Sequence, residues 1–199
     1  MNISEVVMIG ARYAYDCCNN QANLKVCDYA SSPDSIWGKF ERMISGDRIR
    51  RKEFGYKVEI FCLAFGSFLR HFYDAFLKEY DSTKASCLIL YAWNHFPPIK
   101  NEIFILESTP TVRLCMNTRE YMIFVHPYDS DKLTAFLQDT IWYVDSGSVK
   151  LDSPFARNIN GMINRITAES YRKADKLLKM HQIVDDIGFT TATSEELKY

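Results

Sequence analysis

Three apolar runs occupy the middle of the chain: Ala85–Trp93 (ASCLILYAW), Glu102–Ser108 (EIFILES) and Glu120–Val125 (EYMIFV). Short runs of this composition are typical of strands. Pro97-Pro98 cannot donate to a β-ladder and marks the connection between the first two runs. Because the connections are short, antiparallel pairing is favoured. The sequence therefore predicts a short antiparallel β-meander at about residues 85–126.

Helices are predicted on the N-terminal side of this meander. The first runs from about Ser4 to Cys18, because one helical face repeats apolar residues at three-to-four-residue spacing. Those residues are Ile3, Val7, Ala11, Ala14 and Cys18. We expect residues 19–31 to form a polar connector. Ser32-Pro33 is a good helix start, and Gly46 is a natural stop for the second helix.

A phenylalanine-rich segment precedes the meander and predicts a helix from about Ser67 to Tyr80. Helix and strand both remain open for residues 56–66, because short apolar runs fit either state. Apolar residues cover more than one face of this segment, so it is either central to the core or covered by a partner. In the second case a homodimer interface is the simplest expectation. Its candidate residues are Phe61, Phe65, Phe68, Phe72 and Phe76.

Two or three further helices are predicted after the meander. One is capped by Asp129 or Ser130, another opens at Ser153-Pro154, and a last helix ends at Gly188. The polar tail, residues 190–199, is expected to fray. The predicted fold class is thus α+β: a short antiparallel β-meander flanked by N-terminal and C-terminal helices, in a single domain spanning residues 1–189.

Composition limits the classes of function. The chain has 199 residues, 47% of them hydrophobic, and a net charge of −1, so no global field attracts nucleic acid or an anionic membrane. No apolar run approaches the roughly 20 residues of a membrane span. Four of the six cysteines lie in apolar stretches, where free thiols act as small core residues. We therefore expect an intracellular protein, in cytoplasm or nucleus, with reduced cysteines.

Catalytic constellations are incomplete in this sequence. No histidine has a second histidine or a cysteine at metal-ligand spacing. A cysteine nucleophile would need a histidine within hydrogen-bond reach of both the thiol and an acid. The candidate histidine and acid, His95 and Glu107, fall roughly 13 Å apart along the predicted hairpin, which is too far for that contact. The sequence predicts no catalytic residue, no metal and no cofactor.

The order helices–meander–helices resembles the PD-(D/E)xK nucleases, including the cap-snatching endonucleases of negative-strand RNA viruses. That family places an acid near the end of one strand and acid-x-Lys on the next, where the acids hold divalent cations. Here Asn94 stands at the first position and Glu107-Ser108-Thr109 at the second. The resemblance implies a degenerate nuclease-like domain in which Glu107 is the alternative metal ligand.

Two groups of basic residues are candidates for phosphate contact. The first follows Gly46 on an expected loop or strand edge and comprises Arg48, Arg50, Arg51 and Lys52; the second lies on one face of the last helix and comprises Arg172, Lys176 and Lys179. The alternative is an ordinary solvated face, since Glu169 and Asp175 lie nearby.

The function predicted from these observations is a non-enzymatic protein-interaction or accessory protein of the viral, phage or effector-like kind. Its partner is another protein, including a second copy of itself, and no membrane is involved. The alternative is a nucleic-acid-binding or degenerate PD-(D/E)xK nuclease-like domain that uses the Arg48–Lys52 cluster.

Overall fold

The computed structural model describes residues 1–31, 46–78, 83–85, 118, 121–122 and 154–183, with side chains for all but 27–31, 46–56 and 154–157. Within these residues 90% are helical and none lies in a strand or sheet. Four helices contain most of them: α1 (Ile3–Asn19), α2 (Gln21–Ser31), α3 (Gly46–Phe76) and α4 (Pro154–Met180). No helix in this described part is both long enough and apolar enough to cross a membrane.

The predicted α+β fold class, with its β-meander, is wrong. Ala85, at the start of the first predicted strand, is helical, and so are Tyr121 and Met122 inside the third. The second predicted strand, residues 102–108, lies outside the described residues. All three of these helical residues are buried. A helical segment buried on all sides is as continuously apolar as a buried strand, so the pattern did not separate the two states.

The first helix is confirmed, and the structure adds the reason for its start. Asn2 caps α1: its side-chain oxygen accepts from the Glu5 N–H at 2.7 Å, and the Glu5 carboxylate accepts from the Asn2 N–H at 2.9 Å. This reciprocal pair satisfies two N–H groups that the first helical turn cannot. All five residues of the predicted apolar face, from Ile3 to Cys18, are buried.

The predicted connector at residues 19–31 is wrong, because α2 occupies most of it. Asn20 has an extended backbone that ends α1, and its side chain caps α2 by accepting from the Ala22 N–H at 2.9 Å. Buried Asn23 then donates to the Cys17 carbonyl at 2.9 Å. The two adjacent asparagines were interpreted as a helix stop, whereas the second also begins the next helix.

The long third helix decides the open question about residues 56–66, which are helical as part of α3. Every residue from Val58 to Leu69 is buried, so α3 is the central helix of the described fold. The helix predicted to start at Ser67 is confirmed through Phe76, where α3 ends. Gly46 is the first residue of α3. Its predicted role as the stop of a preceding helix concerns residues 32–45, which lie outside the described residues. The helix predicted from residue 33 lies mainly outside the described residues.

The last helix starts at Pro154, as the Ser-Pro cap predicts, and buries Ile159, Met162, Ile163 and Ile166. It continues unbroken to Met180, so a single helix occupies the region where the prediction left one or two helices open, and it ends before the predicted stop at Gly188. No glycine or proline interrupts residues 162–180, and one amphipathic face persists throughout. The helix capped near residue 129 and the tail from residue 190 lie outside the described residues.

Side-chain contacts fix how the helices are arranged. Ala64 contacts Ser170 and His71 contacts Tyr171, so α3 and α4 run in the same direction. Met1 reaches Gln182 while Tyr13 reaches Ile166, so α1 runs opposite to α4. Gly10 lies against the rings of Phe65 and Phe68, which brings α1 close to the middle of α3. The side chain of Arg165 donates to Asn23 and attaches α2 to α4. The described part is thus a helical bundle around α3.

Candidate interaction surface

The five phenylalanines named as candidate interface residues lie inside the core of one chain. Each is at most 6% exposed, and neighbouring rings contact one another, as Phe68 and Phe72 do at 5.2 Å between centroids. These contacts correspond to the central-helix alternative of the sequence interpretation. In this arrangement the rings stabilise the bundle and present no outer surface.

The first basic group, Arg48 to Lys52, lies on the helical backbone of α3. The expectation of an exposed loop or strand edge there is therefore wrong, because Gly46 opens a helix. Their side chains lie outside the described residues. Glu107, the alternative metal ligand, and its neighbours Asn94 and His95 also lie outside the described residues.

The second basic group lies on the outer face of α4. Arg172, Lys176 and Lys179 are all exposed, and Lys179 also binds Asp175 at 2.7 Å. Arg165 belongs to the same face, although the sequence interpretation omitted it. These four positions fall within about 60° of the helix circumference and extend over about 21 Å. Two acids lie beside this face: Glu169 is partly buried, and the side chain of Asp175 is 44% exposed and pairs with Lys179.

An open groove of about 430 Å³ follows the outer face of α1. Its apolar part consists of Met1, Met8 and Ile9, with Glu5 and Arg12 on either side along the helix. His181, just after the end of α4, closes one end of the surface. Ile9 is 36% exposed, so part of its aliphatic side chain lies open to solvent on this face. We call the face formed by Glu5, Met8, Ile9 and Arg12 the α1 groove.

Sequence reasoning missed the α1 groove, although a signal for it was present. The inward face of α1 is defined by Ile3, Val7, Ala11, Ala14 and Cys18. Ile9 points away from that face, and Met8 beside it is partly buried against the core; both stand between an acid and a base. An exposed apolar residue on the outward side of an amphipathic helix, with a second one beside it, was the available signal.

The cysteines of the described core are unsuited to nucleophilic chemistry. Cys17, Cys18 and Cys62 are free and buried. Burial raises the pKa of the Cys18 thiol to about 12, and burial also raises the pKa of Cys17. Both thiols are therefore protonated at neutral pH, whereas the thiolate is the reactive form. Cys17 and Cys18 are therefore core residues of this bundle.

A buried polar junction joins three helices beside Cys17. The Ser170 hydroxyl donates to the Ile166 carbonyl at 2.7 Å, and its oxygen lies 3.2 Å from the Ala64 carbonyl oxygen and 3.5 Å from the Tyr13 hydroxyl. Burial raises the pKa of Tyr13 above its ordinary range. The ammonium of Lys173 lies 4.9 Å from the centre of the Tyr13 ring. These contacts fix the register of α1, α3 and α4, so we interpret the junction as structural.

Comparisons with known proteins give no further assignment. A scan against protein-family models found no match, and searches of curated proteins and of solved structures found none either. The candidate surfaces therefore stand on the residues of this chain alone. They are the α1 groove and the basic face of α4.

Proposed function

We propose that this chain is a non-enzymatic accessory protein that works by protein–protein contact, self-association included, inside the cell. The observation that carries the proposal is the α1 groove, where apolar Met8 and Ile9 are flanked by the charged Glu5 and Arg12. An apolar centre with a polar rim is the usual composition of a protein interface. A partner that covers Ile9 would remove its exposed aliphatic surface from water.

Two further observations support a binding role. The described cysteines are buried, which keeps them from reacting with a substrate. Within the described residues no three histidine, cysteine, aspartate or glutamate side chains are placed to hold a metal ion.

The test combines a mass measurement in solution with capture of partners from the native lysate. Ile9→Glu should weaken whatever contact is observed, because it places a charge at the apolar centre of the groove. Leu77→Glu is the matched control, since Leu77 is 39% exposed just after α3 and is not one of the residues that line the groove. A wild-type protein that remains a strict monomer and recovers no partner would overturn the proposal.

A second candidate function is binding of nucleic-acid phosphates by the basic face of α4. The observation that favours it is the row of exposed basic residues along one side of α4, formed by Arg165, Arg172, Lys176 and Lys179. Lysine and arginine on one helical face release counterions when they meet a phosphate backbone, which makes affinity fall steeply with salt.

Two paired variants test this candidate. Arg172→Glu with Lys176→Glu should weaken binding to RNA or DNA and lower the slope of log affinity against log salt by about two. Lys25→Glu with Lys78→Glu changes the net charge equally at exposed positions on α2 and beyond α3. If both pairs weaken binding equally, the α4 face is not the site. If wild type shows no affinity at low salt, the candidate fails.

A further inference from the structure

The basic side chains on the outer side of α4 form one straight row. Arg165, Arg172 and Lys179 follow one another at intervals of seven residues. Seven residues of an α-helix advance about 10 Å along the axis and turn by only about 20°, so the three lie almost in line. Lys176 stands about 40° from Arg172 and widens the row on one side. The result is a rigid line of positive charge about 21 Å long.

Most of the charge in this row is available to a ligand. Among the described residues, no ion pair or hydrogen bond engages the side chains of Arg172 and Lys176. Arg165 donates to Asn23 through one nitrogen, but a guanidinium carries five N–H donors, so others remain for a phosphate. Lys179 pairs with Asp175, and the two side chains are 74% and 44% exposed, so the pair is weak and a phosphate can replace it.

The exposed surface beside the row has no group on which a base could stack. Between residues 158 and 180 of α4 none of the exposed side chains is aromatic, and Tyr171 is half-buried against His71. Proteins that hold single strands stack the bases on aromatic side chains. Gly161 and Ala168 lie beside the row, and a Cβ at Gly161 would meet no atom within 4 Å, so a phosphate backbone can approach closely.

We propose that the basic face of α4 binds along one phosphate backbone of a double-stranded nucleic acid, whatever its base sequence. This inference rests on the proposed binding of nucleic-acid phosphates by this face, and it names the class of nucleic acid. Each strand of a duplex places one phosphate about every 3.4 Å along the axis, so the row spans about six of them. Because these phosphates are already held in line, a rigid row of cations meets them without first ordering the ligand, as a flexible single strand would require.

The position of the cations on α4 favours contact with one backbone and not with the bases. They lie on one side of the exposed face, since the other side carries Asn164 and Asp175. A helix that reads sequence enters the major groove and places polar side chains against base edges. Contacts to phosphates position a protein on the duplex but carry no sequence information. We therefore expect DNA and RNA duplexes to bind through the same row.

Fluorescence anisotropy with short labelled oligonucleotides tests the choice of ligand. A DNA duplex, an RNA duplex of the same sequence and one of the DNA strands alone are compared. Both duplexes should bind about tenfold more tightly than the single strand, and a scrambled duplex should differ from the original by less than about twofold. The slope of log affinity against log salt should be about −3 to −4, as for three or four neutralised phosphates.

Removal of one acid gives a test that loss of structure cannot imitate. Asp175→Asn releases Lys179 from its pair and removes a negative charge beside the row. Duplex affinity should therefore rise about two- to fivefold, with a steeper dependence on salt. Asp74→Asn is the matched control, because Asp74 forms the same kind of i,i+4 pair with Arg70, at 2.8 Å, on α3. It removes the same charge and should leave the affinity unchanged.

Four results would overturn the inference, and they differ in what they mean for phosphate binding by α4. A single strand that binds more tightly than the duplex defeats the inference but leaves phosphate binding in place. Poly-glutamate that displaces the duplex as well as an equal charge of nucleic acid does would assign the face to an acidic protein instead. If Asp175→Asn and Asp74→Asn raise the affinity equally, the face is not the site, and both proposals fail. Both also fail if no duplex binds at low salt.

Discussion

The hydroxyl of Tyr121 donates to a carboxylate oxygen of Glu59 at 2.8 Å, and both side chains are buried. Glu59 lies on α3 beside Ile60 and Phe61, which are fully buried, so its carboxylate is held deep in the apolar core. Burial of a carboxylate is costly unless it is hydrogen-bonded. The bond therefore attaches the helical residues 121–122 to the central helix and fixes where they lie.

Tyr121→Phe should lower the free energy of unfolding by about 1.5–3 kcal/mol, because it removes a donor from a buried carboxylate while keeping the ring. Tyr73→Phe is a matched control, since the Tyr73 ring packs under Arg70 and the ring is retained. That control should change stability by less than about 0.5 kcal/mol. Urea unfolding measures the free energy of unfolding of both variants. If both lose the same amount of stability, the hydrogen bond from Tyr121 to Glu59 makes no specific contribution.

Two glycines in helices should respond to alanine with opposite signs. At Gly66 a Cβ would lie 2.8 Å from the Thr118 carbonyl oxygen and 2.9 Å from the Tyr121 Cβ, so backbone must move. Gly66→Ala should cost about 1–3 kcal/mol. Gly161 faces open space, so Gly161→Ala should stabilise by about 0.5–1 kcal/mol through helix propensity. Thermal unfolding measures the stability of both variants. A Gly66→Ala variant that is more stable than wild type would contradict the close approach of Gly66 to Thr118 and Tyr121.

Gly10→Ala should be destabilising through one identifiable clash. The new Cβ would lie 2.4 Å from a ring carbon of Phe68, so the ring or the helix has to shift. Phe68→Leu shortens that side chain and should make the Gly10→Ala change less costly. A double-mutant cycle measures this coupling, which we expect at about 1 kcal/mol. Strict additivity of the two changes would show that α1 and α3 are not in contact at this point.

Stability should fall as the pH rises above about 9, in part because of the thiol of Cys18. Its pKa is raised from 9.0 to about 12 by burial, so between these values the unfolded chain has lost the proton that the folded chain keeps. The unfolded state then binds fewer protons, and the free energy of unfolding decreases with pH. Below pH 9 this contribution is fully present.

The measurement is urea unfolding at several values of pH between 8 and 11. Cys18→Ala removes the titrating thiol. The free energy of unfolding should then decrease less steeply with pH than in wild type, whatever the stability of the variant at pH 8. In parallel, the folded protein should resist alkylation at Cys17 and Cys18, since both thiols are buried and protonated. Rapid alkylation at neutral pH with no loss of structure would contradict the burial.

The sequence alone determined the helices whose signals are local. The apolar spacing from Ile3 to Cys18 predicted α1, and Ser153-Pro154 predicted where α4 begins, because caps and one-faced periodicity act within a single helix. The periodic phenylalanines likewise predicted the helix from Ser67 onward. The basic residues of α4 were placed on one face by spacing alone, and they are exposed in the structure.

For residues that are buried on all sides, only the tertiary structure decided between helix and strand. Ala85, Tyr121 and Met122 are helical because they pack within a helical core, where a run of apolar residues carries no period that distinguishes helix from strand. The phenylalanines became core residues instead of an interface because α1 and α4 cover α3. The same packing leaves Ile9 exposed and Met8 half-buried on the other side of α1. The α1 groove can therefore be recognised only once the contacts of the inner face of α1 are known.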